Sequence, residues 1–203
     1  MAVPLEDHVR QVLLENDRGL KFYGAVAQGW AALAEYPQRG RWRRISTMRH
    51  IVWEEIVQRL FQIAADDPQI VPIEHRDTIS LVVENEVLFR LKCADTALMT
   101  ANYPTPEAQE FDHHEVDLYN FLGLQRVKLC YVPDEHEANL LWTGIAATNH
   151  GRFLWKIELN GAGTVADMPR LPFPEQQTDP AKIARLRTAP GTKGEEKRKD
   201  SGG

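Results

Sequence analysis

Thr78-Ile79-Ser80-Leu81-Val82-Val83-Glu84-Asn85-Glu86-Val87-Leu88-Phe89-Arg90-Leu91-Lys92 is the stretch in which the chain changes its hydrophobic period. Ile79, Leu81 and Val83 alternate with Thr78, Ser80 and Val82, and Val87 to Lys92 repeats the alternation after Glu84-Asn85-Glu86. A period of about two places successive side chains on opposite faces of a strand. The stretch therefore reads as a β-hairpin that opens a sheet.

Everything before it has the helical period. Leu5, Val9, Val12 and Leu13 form a stripe that ends at the polar corner Asp17-Arg18-Gly19. A second helix is expected over 20–36, with Phe22, Val26, Trp30 and Leu33 at three- and four-residue spacing and Pro37 as its stop. Ser46 and Thr47 are the expected N-caps of a third helix reaching about Ala65, which buries Ile51, Val52, Ile56, Leu60 and Ile63.

Downstream, Thr105-Pro106-Glu107 predicts a short helix through about His113, because threonine caps and proline suits a first turn. Strands are expected at 126–132, 139–147 and 152–159, separated by the turn-rich segments 133–137 and 149–151. The predicted fold is α+β: N-terminal helices at 5–66, then a mostly antiparallel sheet of about five strands at 70–160 with one inserted helix. A single domain over 1–177 is expected, its segment 161–177 extended and rich in Pro and Gly. Residues 178–203 hold too little apolar surface to offset their ordering entropy and read as a disordered charged tail.

Apolar residues make up 43% of the 203 and charged residues 26%, which places the chain with folded globular proteins rather than disordered or fibrous ones. A net charge of -5 argues against a general polyanion binder, so any such role must rest on a local patch. The first ten residues contain Glu6, Asp7 and His8 where an export signal needs an apolar run, and no stretch is long enough to span a membrane. A cytoplasmic protein without membrane association is expected. Cys93 and Cys130 each sit in a strand-like run outside any metal-binding spacing and read as buried thiols.

Nucleotide-binding, zinc-protease, serine-hydrolase and kinase signatures are all missing from the sequence, and no cofactor is expected. Asp112, His113 and His136 are candidate metal ligands. Adjacent helical side chains diverge by about 100 degrees, however, so His113 and His114 would not share an ion, and no metal site is expected. Arg41, Trp42, Arg43 and Arg44 form a basic cluster whose guanidinium forks suit phosphate oxygens and whose aromatic could stack on a base. An exposed connection with its arginines paired to nearby carboxylates is the alternative. Strand parity supplies another candidate: Arg90, Lys92, Arg126, Lys128, Arg152 and Lys156 all alternate with apolar residues, which predicts one positive sheet face. The alternative there is an ordinary solvated face.

Residues 84–92, Asn102-Tyr103-Pro104-Thr105 and Arg126-Val127-Lys128-Leu129-Cys130-Tyr131 resemble a group of uncharacterised bacterial proteins, with the likeness running from Thr78 to Leu159. Members are often encoded beside regulators that join a helix-turn-helix to a zinc-peptidase domain, in toxin-antitoxin and phage-defence loci. The resemblance implies a non-catalytic protein-binding component whose partner is encoded in the same operon. It supplies no catalytic residues. A nucleic-acid-binding protein or metal-dependent nuclease, built on the arginine loop and the basic sheet face, is the second expectation.

Overall fold

A computed structural model describes residues 3–75, 78–100, 105–114 and 117–161. The expectations for 162–177 and for the tail at 178–203 lie outside the described residues. All described residues belong to one compact unit, Met1–Asp167.

The fold is α+β. Among the described residues the order is α1 (Glu6–Leu14), α2 (Arg18–Ala32), α3 (Ile45–Asp66), β1 (Ile70–His75), β2 (Thr78–Val83), β3 (Val87–Cys93), α4 (Pro106–His113), β4 (Gln125–Pro133), β5 (Leu140–Asn149) and β6 (Arg152–Glu158). The strands lie in one sheet in chain order, β1-β2-β3-β4-β5-β6. Every neighbouring pair is antiparallel except β3 and β4, which run parallel with Arg90 opposite Lys128. Parallel neighbours cannot be joined by a tight turn, and the described segments of the crossover, 94–100, 105–114 and 117–124, α4 included, lie over one face of the sheet.

That crossover settles what each face touches. Leu81, Val83, Phe89, Leu91, Val127, Leu129, Tyr131, Ile145 and Ile157 point to one side and form the main core with Val9, Phe22, Val26, Val52, Ile56 and Leu60 of α1 to α3. On the other side Val82 and Leu88 pack under Phe111 of α4, Leu118 and Leu124. Cys130, Val132 and Ala146 pack there with Ala94 and Leu98.

The structure departs from the sequence-based expectation in four places. The sheet has six strands; β1 carries Pro72, which obscures its pattern and is tolerated because β1 is an edge strand. α2 begins at Arg18, directly after Asn16 and Asp17 in left-handed conformation at φ 51° and 54°. α3 begins at Ile45 with Arg44 in extended conformation before it, so Ser46 and Thr47 lie inside the first turn and cap nothing. β6 carries an irregularity: Ala147 pairs with Trp155 but Thr148 pairs with Phe153, which leaves Leu154 as an extra residue. The capping of α4 is as expected, with Thr105 Oγ1 accepting from the Ala108 amide at 3.2 Å and Pro106 in the first turn.

One buried ion network ties the helices to the β2–β3 turn. Arg18 is 1% exposed and donates to Asp67 at 2.9 Å and to Glu84 at 2.5 Å. Glu84 and Asn85 both hold a left-handed backbone, at φ 57° and 56°, in the turn between β2 and β3, and the Glu84 carboxylate meets Arg18 from there.

Candidate functional site

Five of the six cations expected on one sheet face share it, all but Arg152. Arg90, Lys92, Arg126 and Lys128 occupy alternate positions of β3 and β4, opposite in phase to Leu91, Val127 and Leu129 of the main core. The face is nevertheless not a solvated platform. Arg90, Arg126 and Lys128 are 3%, 1% and 6% exposed, because the crossover that a parallel pair requires lies over them. Lys156, opposite Ala146, keeps the expected phase and is exposed, its ammonium 5.9 Å from the Trp142 ring. The irregularity in β6 removes Arg152 from the set. Phe153 packs with Cys130 and Ala146 while Trp155 and Ile157 pack on the main core, so strict alternation fails between 153 and 155. Arg152 is exposed and opposite Asn149.

The residues covering the cations are matched to them. Arg90 donates to the Tyr119 hydroxyl at 2.8 Å, lies 3.6 Å from Glu107 and places its guanidinium 4.2 Å from the Phe111 ring. Arg126 donates to the Glu110 carbonyl at 2.5 Å, and Asp117 and Glu110 add favourable charge around it. Lys128 donates to Asp112 at 3.1 Å. Asp112 also accepts from the Thr148 hydroxyl and from the Gly151 amide at 2.5 Å, so one carboxylate clasps α4, β4 and the β5–β6 turn. Burial pushes the Asp112 pKa up, but Thr148, Lys128 and the Gly151 amide outweigh it and hold the carboxyl below its ordinary value. His114, 5% exposed, ends the helix in left-handed conformation and donates from Nε2 to the Thr148 carbonyl at 2.8 Å. Burial pulls its pKa down, which favours the neutral ring.

Lys92 is the cation without a carboxylate partner among the described residues. It is half-buried beside Arg90 and Lys128, and burial together with those two charges lowers its pKa to about 8. Its neighbour Cys130 is fully buried, and burial pushes that thiol up to about 12. Cys93 is half-buried and raised by burial as well. The two thiols are free and pack on opposite faces of the sheet.

A cleft of about 330 Å³ opens between α4, the loop after β3 and the β5–β6 turn, with Lys128 and Asp112 in its wall. His113 and His150 stack beside it with ring centres 4.4 Å apart. Of the candidate metal ligands, Asp112 and His113 thus lie at this cleft, whereas His136 is exposed in the β4–β5 loop. Among the described residues no group of three or more His, Cys, Asp or Glu side chains is placed to hold a metal ion.

The arginine cluster lies apart from this, in the connection leading into α3. Arg41, Arg43 and Arg44 are exposed, and none of them forms an ion pair among the described residues. Trp42 is half-buried, packs against the main core and tilts against Tyr36 at 5.8 Å. Arg49, one turn into α3, does pair, with the buried Glu137. Sequence reasoning missed Arg18, Asp67 and Glu137, since a buried charge looks like any surface charge until its partner is in place.

No described helix is long and apolar enough to cross a membrane. Compared with models of known families, with curated proteins and with solved structures, the chain matches none of them.

Proposed function

We propose that the protein is a non-catalytic binding component of a toxin-antitoxin or phage-defence type operon, and that it docks an acidic partner protein through Arg41, Arg43 and Arg44. The observation that carries this reading is the exposure of three guanidinium groups within four residues, none with a carboxylate among the described residues. Arginine is enriched at the centre of protein interfaces, where its planar fork engages carboxylates bidentately. The resemblance of residues 78–159 to proteins encoded beside helix-turn-helix regulators supports a partner from the same locus.

Two features favour a protein partner over nucleic acid. Trp42 spends its ring on Tyr36 and the core, which removes the aromatic platform that single-stranded bases stack on. Arg90, Arg126 and Lys128 of the cationic sheet face are covered by the chain's own residues, so among the described residues that face does not offer the arginine segment a second basic surface to track a phosphate backbone. Non-catalytic action agrees with both cysteines, since burial raises their pKa values away from the reactive thiolate.

The test is affinity purification of the tagged full chain beside the triple variant Arg41→Ala, Arg43→Ala, Arg44→Ala, with and without nuclease. A protein that co-purifies after nuclease treatment and is lost with the triple variant supports the reading. Capture of the same proteins by the triple variant refutes it, and so does captured material that nuclease releases.

A further inference from the structure

The cleft over Lys128 has the features of a small-molecule site. Its volume, about 330 Å³, is at the lower end of the range of ligand pockets, the size for a single ring or a short chain. One wall is apolar, from Leu98, Met99 and Ala108. Met99 is 47% exposed at the rim, while Leu98 is 8% exposed. The other wall presents Lys128, 6% exposed, whose ammonium has three N–H donors and a single acceptor among the described residues, Asp112. A buried ammonium with unused donors on a cavity wall is a costly arrangement that a ligand oxygen relieves.

Charge selects the kind of oxygen. Arg90, Lys92 and Lys128 share one sheet face, and the carboxylates that meet them are Glu107 at Arg90 and Asp112 at Lys128. Lys92 forms no ion pair among the described residues and feels Glu107 only at longer range, so these three cations meet two carboxylates and the group carries one surplus positive charge. Asp112 does not repel an incoming anion strongly, because the Lys128 ammonium, the Thr148 hydroxyl and the Gly151 amide already engage its two oxygens. A dianionic phosphate would call for a guanidinium fork or a helix N-terminus. Among the described residues the cleft offers neither: its one cation is Lys128, and the first-turn amides of α4 in its lining, those of Ala108 and Gln109, already donate to Thr105.

We infer that this cleft binds a small monocarboxylate with an apolar body, its carboxylate on Lys128 and its body against Leu98, Met99 and Ala108. The site is independent of the arginine segment and stands whether or not that segment docks a partner.

Benzoate is the probe, titrated into the full chain by calorimetry and by thermal unfolding, beside benzyl alcohol, benzylamine and inorganic phosphate. Benzoate binds saturably and raises the melting temperature by mass action, and the other three bind at least tenfold more weakly. Ala108→Trp fills the apolar wall and leaves both members of the Lys128–Asp112 pair in the chain, and it weakens benzoate at least tenfold while the protein stays folded. Lys128→Gln has the same effect on benzoate if that variant folds. The inference is overturned by any of three results: no saturable benzoate binding to the wild type, benzyl alcohol or phosphate binding as tightly as benzoate, or benzoate binding that Ala108→Trp leaves unchanged.

Discussion

Replacing Lys92 by methionine should make the protein more stable at neutral pH. The side chain is half-buried on β3 between Arg90 and Lys128 and has no carboxylate partner among the described residues. Its pKa falls from 10.5 to about 8 through burial first and then through the two neighbouring cations. At about 1.4 kcal/mol per tenfold, that difference corresponds to about 3 kcal/mol of penalty on the charged form. Solvent screening of a half-buried group reduces this to about 1.5 kcal/mol. The native state therefore binds fewer protons than the unfolded chain between pH 8 and 10.5, and stability rises with pH across that window. The penalty is present in full below about pH 8 and disappears above 10.5. Methionine keeps the apolar stem and removes the charge, so Lys92→Met gains about 1.5 kcal/mol at pH 7, about 3–6 °C in melting temperature for a domain of this size. Urea unfolding of both proteins at pH 7 and pH 10 measures the gain, which should shrink by more than half at the higher value. A variant less stable than the wild type at pH 7, or a gain that is the same at both pH values, would refute the reasoning.

Asp112→Asn leaves the Lys128 ammonium buried without its counter-charge and should cost about 3 kcal/mol at pH 7 by denaturant unfolding. Because the Asp112 carboxyl is held below its ordinary value, its contribution is present at neutral pH and is lost as pH falls through that lowered value; wild type and variant should converge in acid. Arg18→Met strips Asp67 and Glu84 of their common partner and should cost about 3–5 kcal/mol. A double-mutant cycle with Asp67→Asn should show non-additivity of at least about 1 kcal/mol. Gly144→Ala puts a Cβ 2.3 Å from the Ile157 carbonyl and 2.4 Å from the Trp142 ring, which forces β5 and β6 apart and should cost about 1–3 kcal/mol in thermal unfolding. Gly40→Ala, with nothing within 4 Å of the added carbon, should change stability by less than about 0.5 kcal/mol and serves as its control.

The sequence by itself determined the features that depend on residues close in the chain. Helical spacing in 5–66, alternation in 78–92 and the Thr105-Pro106 start of α4 each follow from local backbone geometry, and the structure contains all three. Alternation also placed Arg90, Lys92, Arg126 and Lys128 on one face, because a strand turns successive side chains to opposite sides whatever its neighbours are.

Only the tertiary structure decided what that face meets. Whether β3 and β4 run parallel or antiparallel is not written in either strand; it depends on where the chain between them packs, and here α4 and the other described segments of the crossover lie over Arg90, Arg126 and Lys128 and bury them. The salt bridge of Arg18 to Asp67, 49 residues away, the pairing of Arg49 with Glu137, and the irregularity that takes Arg152 out of phase with Lys156 belong to the same class. The physical reason is that a charge becomes a buried ion pair through the low-dielectric surroundings built by distant segments, whereas a period of two or 3.6 is set within a few residues.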